Sequence, residues 1–121
     1  IPLRLVGSEM CIRDRVVTSL TNRALYFSRA AIPFNRDQDP IEADDHLRHI
    51  GLYAYRVGFL NQFVQWPTTR LERLEKLEQL RALAHGAEIL VEKAIRPVPP
   101  GVDTAEDLKQ VRQHFKEGNL P

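Results

Sequence analysis

The sequence predicts an α/β fold, and three of its features lead there. Runs of β-branched and aromatic residues at Val16-Val17, Ala24-Leu25-Tyr26-Phe27-Ser28 and residues 89–91 read as strands. Residues 49–56 alternate with a period of two, placing Ile50, Leu52 and Ala54 on one face and His49, Gly51, Tyr53 and Tyr55 on the other. Helical segments lie between and after these strands, and strands interleaved with helices pack as layers.

Taken in order, the chain opens with residues 1–15, IPLRLVGSEMCIRDR, which keep neither a helical nor a strand period for long. The ending EMCIRDR resembles a translated sequencing adapter. Residues 1–15 are therefore expected to be a non-native or disordered leader, and residues 16–121 one domain. Thr21-Asn22-Arg23 is a turn between the first two strands. Residues 33–45, rich in Asp, Arg, Asn and Pro, form a surface loop. After the alternating strand, residues 57–65 read as a helix that stops at Trp66-Pro67, because proline restricts the residue before it and cannot continue the helix.

Residues 70–85 are predicted as the longest helix, closed by Gly86. Pro97, Pro99, Pro100 and Gly101 make a stiff loop. A last helix spans residues 104–116, where Thr104 and Asp107 imitate a capping box.

Composition narrows the function. The chain has 121 residues, 43% hydrophobic and 27% charged, ordinary for one globular domain. A net charge of +1 gives no basic field for nucleic acid. No apolar run approaches the roughly 20 residues that cross a bilayer. The single cysteine, Cys11, excludes an internal disulfide framework and a cysteine-based zinc site. A cytoplasmic protein is expected.

The helix over residues 70–85 raises a question of its own. Leu71, Leu74, Leu77, Leu80 and Leu83 recur every three residues. On one continuous helix they spread over roughly 240° of its surface, too broad for a zipper seam and suited to a helix covered on two sides. Glu78 falls within that arc, about 20° from Leu71. It either pairs with Arg81 three residues on or faces a polar cavity beside Gln79. An adjacent carboxylate and amide accept and donate the hydrogen bonds that vicinal hydroxyls need.

Four stretches resemble the CMP-Kdo synthetase family, in order. They are Ala24-Leu25-Tyr26-Phe27-Ser28-Arg29 leading to Ile32-Pro33, Leu47-Arg48-His49-Ile50-Gly51-Leu52-Tyr53-Ala54-Tyr55-Arg56, Leu77-Glu78-Gln79-Leu80-Arg81, and Gly101-Val102-Asp103-Thr104 with Glu106-Asp107-Leu108. The resemblance covers roughly residues 16–115. It implies the C-terminal part of a Rossmann-like nucleotide-diphospho-sugar transferase fold. It also implies transfer of CMP from CTP to the sugar acid Kdo (3-deoxy-manno-octulosonate) for lipopolysaccharide synthesis, with Mg²⁺ and a homodimer. By the same resemblance, Arg29 would face anionic Kdo, His49 and Tyr53 would line the sugar, and Glu78 and Gln79 would bind its hydroxyls. Asp103 would ligate Mg²⁺ and be the catalytic residue from this half. The family's phosphate loop and cytosine contacts are not visible in the sequence, so this chain alone is expected to be inactive.

Read without the resemblance, Arg29 is a strand-end surface arginine, His49 a core histidine, Tyr53 an amphipathic tyrosine and Asp103 a helix-cap aspartate. Two other functions remain open: a cytidylyltransferase for another sugar acid, and a non-catalytic helix-rich interaction module.

Overall fold

A computed structural model describes residues 2–6, 14–42, 44–95 and 104–118. Among the described residues, five strands form one sheet: β1 (Pro2–Val6), β2 (Arg15–Thr18), β3 (Ala24–Ser28), β4 (Leu47–Tyr53) and β5 (Leu90–Lys93). Their order is β3-β2-β4-β1-β5. All neighbours are antiparallel except β1 and β5, which run parallel. The two ends of that order also meet. Ala24 N–H donates to the Ile89 carbonyl at 2.9 Å, and Val91 N–H donates to the Asn22 carbonyl at 2.8 Å.

Among the described residues, four helices follow or separate the strands: α1 (Val57–Phe63), α2 (Arg70–Glu75), α3 (Gln79–Ala84) and α4 (Ala105–Lys116). The mixture of strands and helices is the predicted α/β class. The core gathers Val16, Ala24 and Phe27 from the first hairpin, Phe63 from α1, Leu77, Leu80 and Ala82 around α3, and Ile89 and Val91 at β5. Among the described residues, no helix is long and apolar enough to cross a membrane.

Three elements depart from expectation. Pro2–Val6 lies in the segment read as an irregular leader, yet it forms β1 between β4 and β5. Backbone donors and acceptors pair regardless of side-chain pattern, so a gap between two strands accepts a segment whose own period is poor. The alternating strand stops at Tyr53 rather than residue 56. Gly51 takes φ +83°, a left-handed conformation glycine adopts without penalty, and the β1–β4 register shifts across this stretch.

The third departure matters most for the site. The single long helix is two short ones. Lys76 closes α2 in the left-handed conformation (φ 57°, ψ 40°), and its N–H donates to the Glu72 carbonyl. Leu77 lies between the helices and Glu78 caps α3. The break resolves the broad leucine arc, because Leu71 and Leu74 no longer share a helix with Leu80 and Leu83. Leu74 is 64% exposed, whereas Leu80 is fully buried. Arg81 pairs with Glu72, not Glu78, through two hydrogen bonds of 2.6 and 2.8 Å, and its guanidinium sits 4.8 Å from the Phe63 ring centre.

At the C-terminal end, α4 begins as predicted. Thr104 Oγ1 accepts the Asp107 N–H, and the Asp107 carboxylate accepts the Thr104 N–H, both at 3.1 Å.

Candidate functional site

β4 sets the first two candidate residues. Residues two apart on a strand share a face, and Val16, Phe27 and Leu47 are cross-strand partners on the face that carries His49. His49 packs edge-on against Phe27 and Tyr53, with ring centres 5.3 and 5.4 Å away. Its Nε2 lies 2.6 Å from the Tyr53 hydroxyl, and its Nδ1 lies 3.8 Å from the Asp14 carboxylate. A carboxylate at Nδ1 favours the tautomer protonated there, which leaves Nε2 to accept the tyrosine O–H.

Burial pushes the His49 pKa below its ordinary value, and Asp14 only partly offsets this. The imidazole is therefore neutral near pH 7. Burial also raises the Tyr53 pKa far above the usual phenol range, with Tyr55, Asp14 and Glu78 adding to it. Tyr53 thus presents a protonated hydroxyl whose direction His49 sets.

Beyond the strand, Tyr55 stacks on Tyr53 at 5.8 Å and on Phe59 at 5.9 Å. Phe59 in turn meets Phe63 and Trp66. These rings tie the end of β4 to α1 through broad apolar contact that costs little side-chain entropy.

The second part of the site is the break between α2 and α3. Glu78 is exposed, and its charge raises the pKa of both Tyr53 and Tyr55, so the break and the end of β4 form one neighbourhood. Gln79 is half-buried. Its Nε2 is buried without a hydrogen-bond partner among the described residues. A buried amide donor left unmatched costs roughly 1–3 kcal/mol, so an acceptor supplied by a ligand would be favourable here.

Arg29 joins the two parts. Its Nε donates to the Glu75 carbonyl at 2.7 Å, and its Nη2 donates to the Lys76 carbonyl at 3.0 Å. Its Nη1 approaches Asp14 at 3.4 Å. Guanidinium carries five N–H donors. Among the described residues three are engaged, so two remain for an anion. Arg29 is therefore more than a strand-end surface arginine: it caps the C-terminal carbonyls of α2, where a cation is favoured.

The structure thus joins His49 to Tyr53, leaves Glu78 near enough to act on Tyr53 and Tyr55 through its charge, and has Arg29 brace the turn that carries Glu78 and Gln79. Asp103 lies outside the described residues. Sequence reasoning missed Asp14, which lies in the segment read as a leader. It also missed Glu75, which looks like one more solvated helix acid. No local pattern marks Glu75, because its partners lie 46–49 residues away.

Known proteins of similar sequence and fold point the same way. The cytidylyltransferase family profile matches residues 11–93. A 3-deoxy-manno-octulosonate cytidylyltransferase from Glaesserella parasuis is 49% identical over 120 residues, covering 92% of this chain and 47% of the relative. One from Haemophilus ducreyi is 50% identical over 125 residues, covering 95% of this chain and 49% of the relative. A solved structure of CMP:2-keto-3-deoxy-manno-octonic acid synthetase complexed with CTP superposes with a TM-score of 0.86. It shares 31% identity, and the match covers 97% of this chain and 49% of that one. The chain spans about half the length of the relatives it matches.

Proposed function

The chain belongs to the cytidylyltransferase family, and from that premise we propose that the whole protein transfers CMP from CTP to Kdo, releasing pyrophosphate, with this chain supplying the sugar-acid end of the site. The observation that carries the proposal is the hydrogen-bonded pair of His49 and Tyr53, with the charge of Glu78 felt at Tyr53 and the unmatched Gln79 amide adjoining Glu78 in the chain. These polar groups suit a hydroxyl-rich ligand, and relatives near 50% identity bear the name of that activity.

The anomeric hydroxyl of Kdo attacks the α-phosphorus of CTP. A bond forms from that oxygen to phosphorus, the hydroxyl proton passes to solvent, and the bond to the leaving pyrophosphate breaks. Both reactants are anionic, so catalysis depends on positioning and on offsetting charge. Glu78 and Gln79 would accept from and donate to Kdo hydroxyls. Tyr53, its own O–H given to His49, would accept from a sugar hydroxyl. A buried neutral imidazole already engaged with Tyr53 suits this holding role better than that of general base. The two unengaged N–H groups of Arg29 would meet the Kdo carboxylate.

Asp103 is proposed as the magnesium ligand from this chain. Among the described residues, no cluster of three or more His, Cys, Asp or Glu side chains could hold a metal. Magnesium usually takes one or two carboxylates together with substrate phosphates and water, so a single aspartate from this half fits its donor chemistry. When bound, magnesium supplies charge offset at the phosphate and orients the attacking hydroxyl. A homodimer, a role in lipopolysaccharide synthesis and a cytoplasmic location belong to the same proposal.

The test is product formation by the full-length protein from the parent locus, given CTP, Mg²⁺ and either Kdo or sialic acid. CMP-Kdo formation, lost in Asp103→Ala, is the expected result. Turnover of sialic acid alone would move the assignment to the sister substrate. A folded protein that turns over neither would remove the catalytic proposal.

A further inference from the structure

We propose that Glu75 is a positioning residue for the sugar-acid end of the site, acting through Arg29 and through the break between α2 and α3. The inference rests on the function proposed above for its kinetic readout only.

The carboxylate of Glu75 takes donors from one strand end. Its Oε1 accepts the Ser28 hydroxyl at 2.7 Å and the Tyr26 hydroxyl at 3.4 Å, and its Oε2 accepts the Arg29 N–H at 2.9 Å. The guanidinium of Arg29 runs the other way, onto the carbonyls of Glu75 and Lys76. The C-terminal ends of β3 and α2 are thus joined twice, each supplying a charged group to the other's backbone. Charge-assisted bonds to backbone groups are the stronger kind, and here they converge on one turn.

The consequence falls on the residues that follow. Lys76 takes its left-handed conformation at the joined end, and buried Leu77 anchors the chain immediately after it. Glu78 and Gln79 then emerge from a turn held on both sides. Helical periodicity alone would have carried residues 70–85 through as one helix, so the contacts made by Glu75 and Arg29 oppose the local preference. Glu75 touches no proposed substrate position and acts through its neighbours. Such displacements are costly, because a shift of about 1 Å in positioning groups lowers rate by as much as about 100-fold.

Glu75→Gln is the most informative change. With the amide oxygen kept on Ser28, the amide nitrogen would face the Arg29 N–H, donor against donor; with the amide turned over, the Ser28 hydroxyl must rotate to accept. In the full-length protein, Glu75→Gln and Glu75→Ala are expected to raise KM for Kdo by about 10- to 100-fold. KM for CTP should stay within about twofold. Val91→Ala, a core change outside the joint, serves as a control for lost stability and should leave the ratio of the two KM values unchanged. The proposal is overturned if a folded Glu75→Ala keeps its KM for Kdo, or if both KM values move together as in the control. The clamp itself is read without substrate. The Nε–H of Arg29, which donates to the Glu75 carbonyl, should show slowed exchange in the parent chain and lose that protection in Glu75→Gln. Protection left unchanged would overturn the proposal whatever the substrate is.

Discussion

Paired alanine substitutions at Leu74 and Leu80 distinguish the broken helix from the continuous one. On a single helix spanning residues 70–85, both leucines lie in the apolar arc and both changes should be costly. In the structure Leu80 is fully buried among Phe27, Ile89 and their neighbours, while Leu74 is 64% exposed. Leu80→Ala removes buried carbon and leaves a cavity, a combination that costs about 2–5 kcal/mol. Leu74→Ala removes side-chain surface that is mostly in water already, so its cost should stay near 0.5 kcal/mol, roughly the limit for surface changes. At about 4 °C per kcal/mol for a chain of this size, Leu80→Ala should lower Tm by about 8–20 °C and Leu74→Ala by about 2 °C. Urea denaturation checks the same numbers, provided both variants keep the parent m-value. Equal losses, or a larger loss at Leu74, would refute the break and the site built on it.

Other consequences follow from the ionisable groups and the caps. Glu72 and Glu75 sit below the usual carboxylate range, Glu72 chiefly because Arg81 hydrogen-bonds it and Glu75 chiefly because the Arg29 N–H does. Their contribution is present above the ordinary glutamate value and is lost as pH falls through the lowered one, so stability should drop below about pH 4.5. His49 adds an earlier step. Its pKa is lowered by burial, so the unfolded chain takes up the proton first, and stability begins to decline below about pH 6.5. An NMR titration of His49 with a midpoint at or above 6.5 would contradict this. Thr104→Ala removes one arm of the capping box and should cost α4 about 1 kcal/mol, read as faster amide exchange at Asp107 with core amides unchanged.

The sequence and the structure agree where the governing interactions are local. The hairpin at Val16 and Phe27, the helix stop before Pro67 and the capping box at Thr104 and Asp107 all follow from residues a few positions apart. The face shared by His49 and Tyr53 follows from a period of two. The break at Lys76 does not, because the groups bonded to it, Arg29 and the strand end of β3, lie some 46 residues away. The true partner of Arg81 was hidden for the same reason: once the helix bends at Lys76, Glu72 comes within reach across the turn. Pro2–Val6 entered the sheet although its side-chain pattern is poor, since backbone pairing needs only a neighbouring strand. Glu78 and Gln79 were recognised by resemblance, and the turn that presents them is legible only in three dimensions.

The most direct measurement is the steady-state kinetics of Gln79→Leu in the full-length protein, with Kdo and CTP varied in turn. Leucine keeps the size of the side chain and removes the buried amide donor. A site in which this half holds the sugar acid predicts a KM for Kdo raised by about 10-fold or more and a KM for CTP unchanged. A raised KM for CTP with an unaltered KM for Kdo would place the nucleotide, not the sugar acid, at this turn.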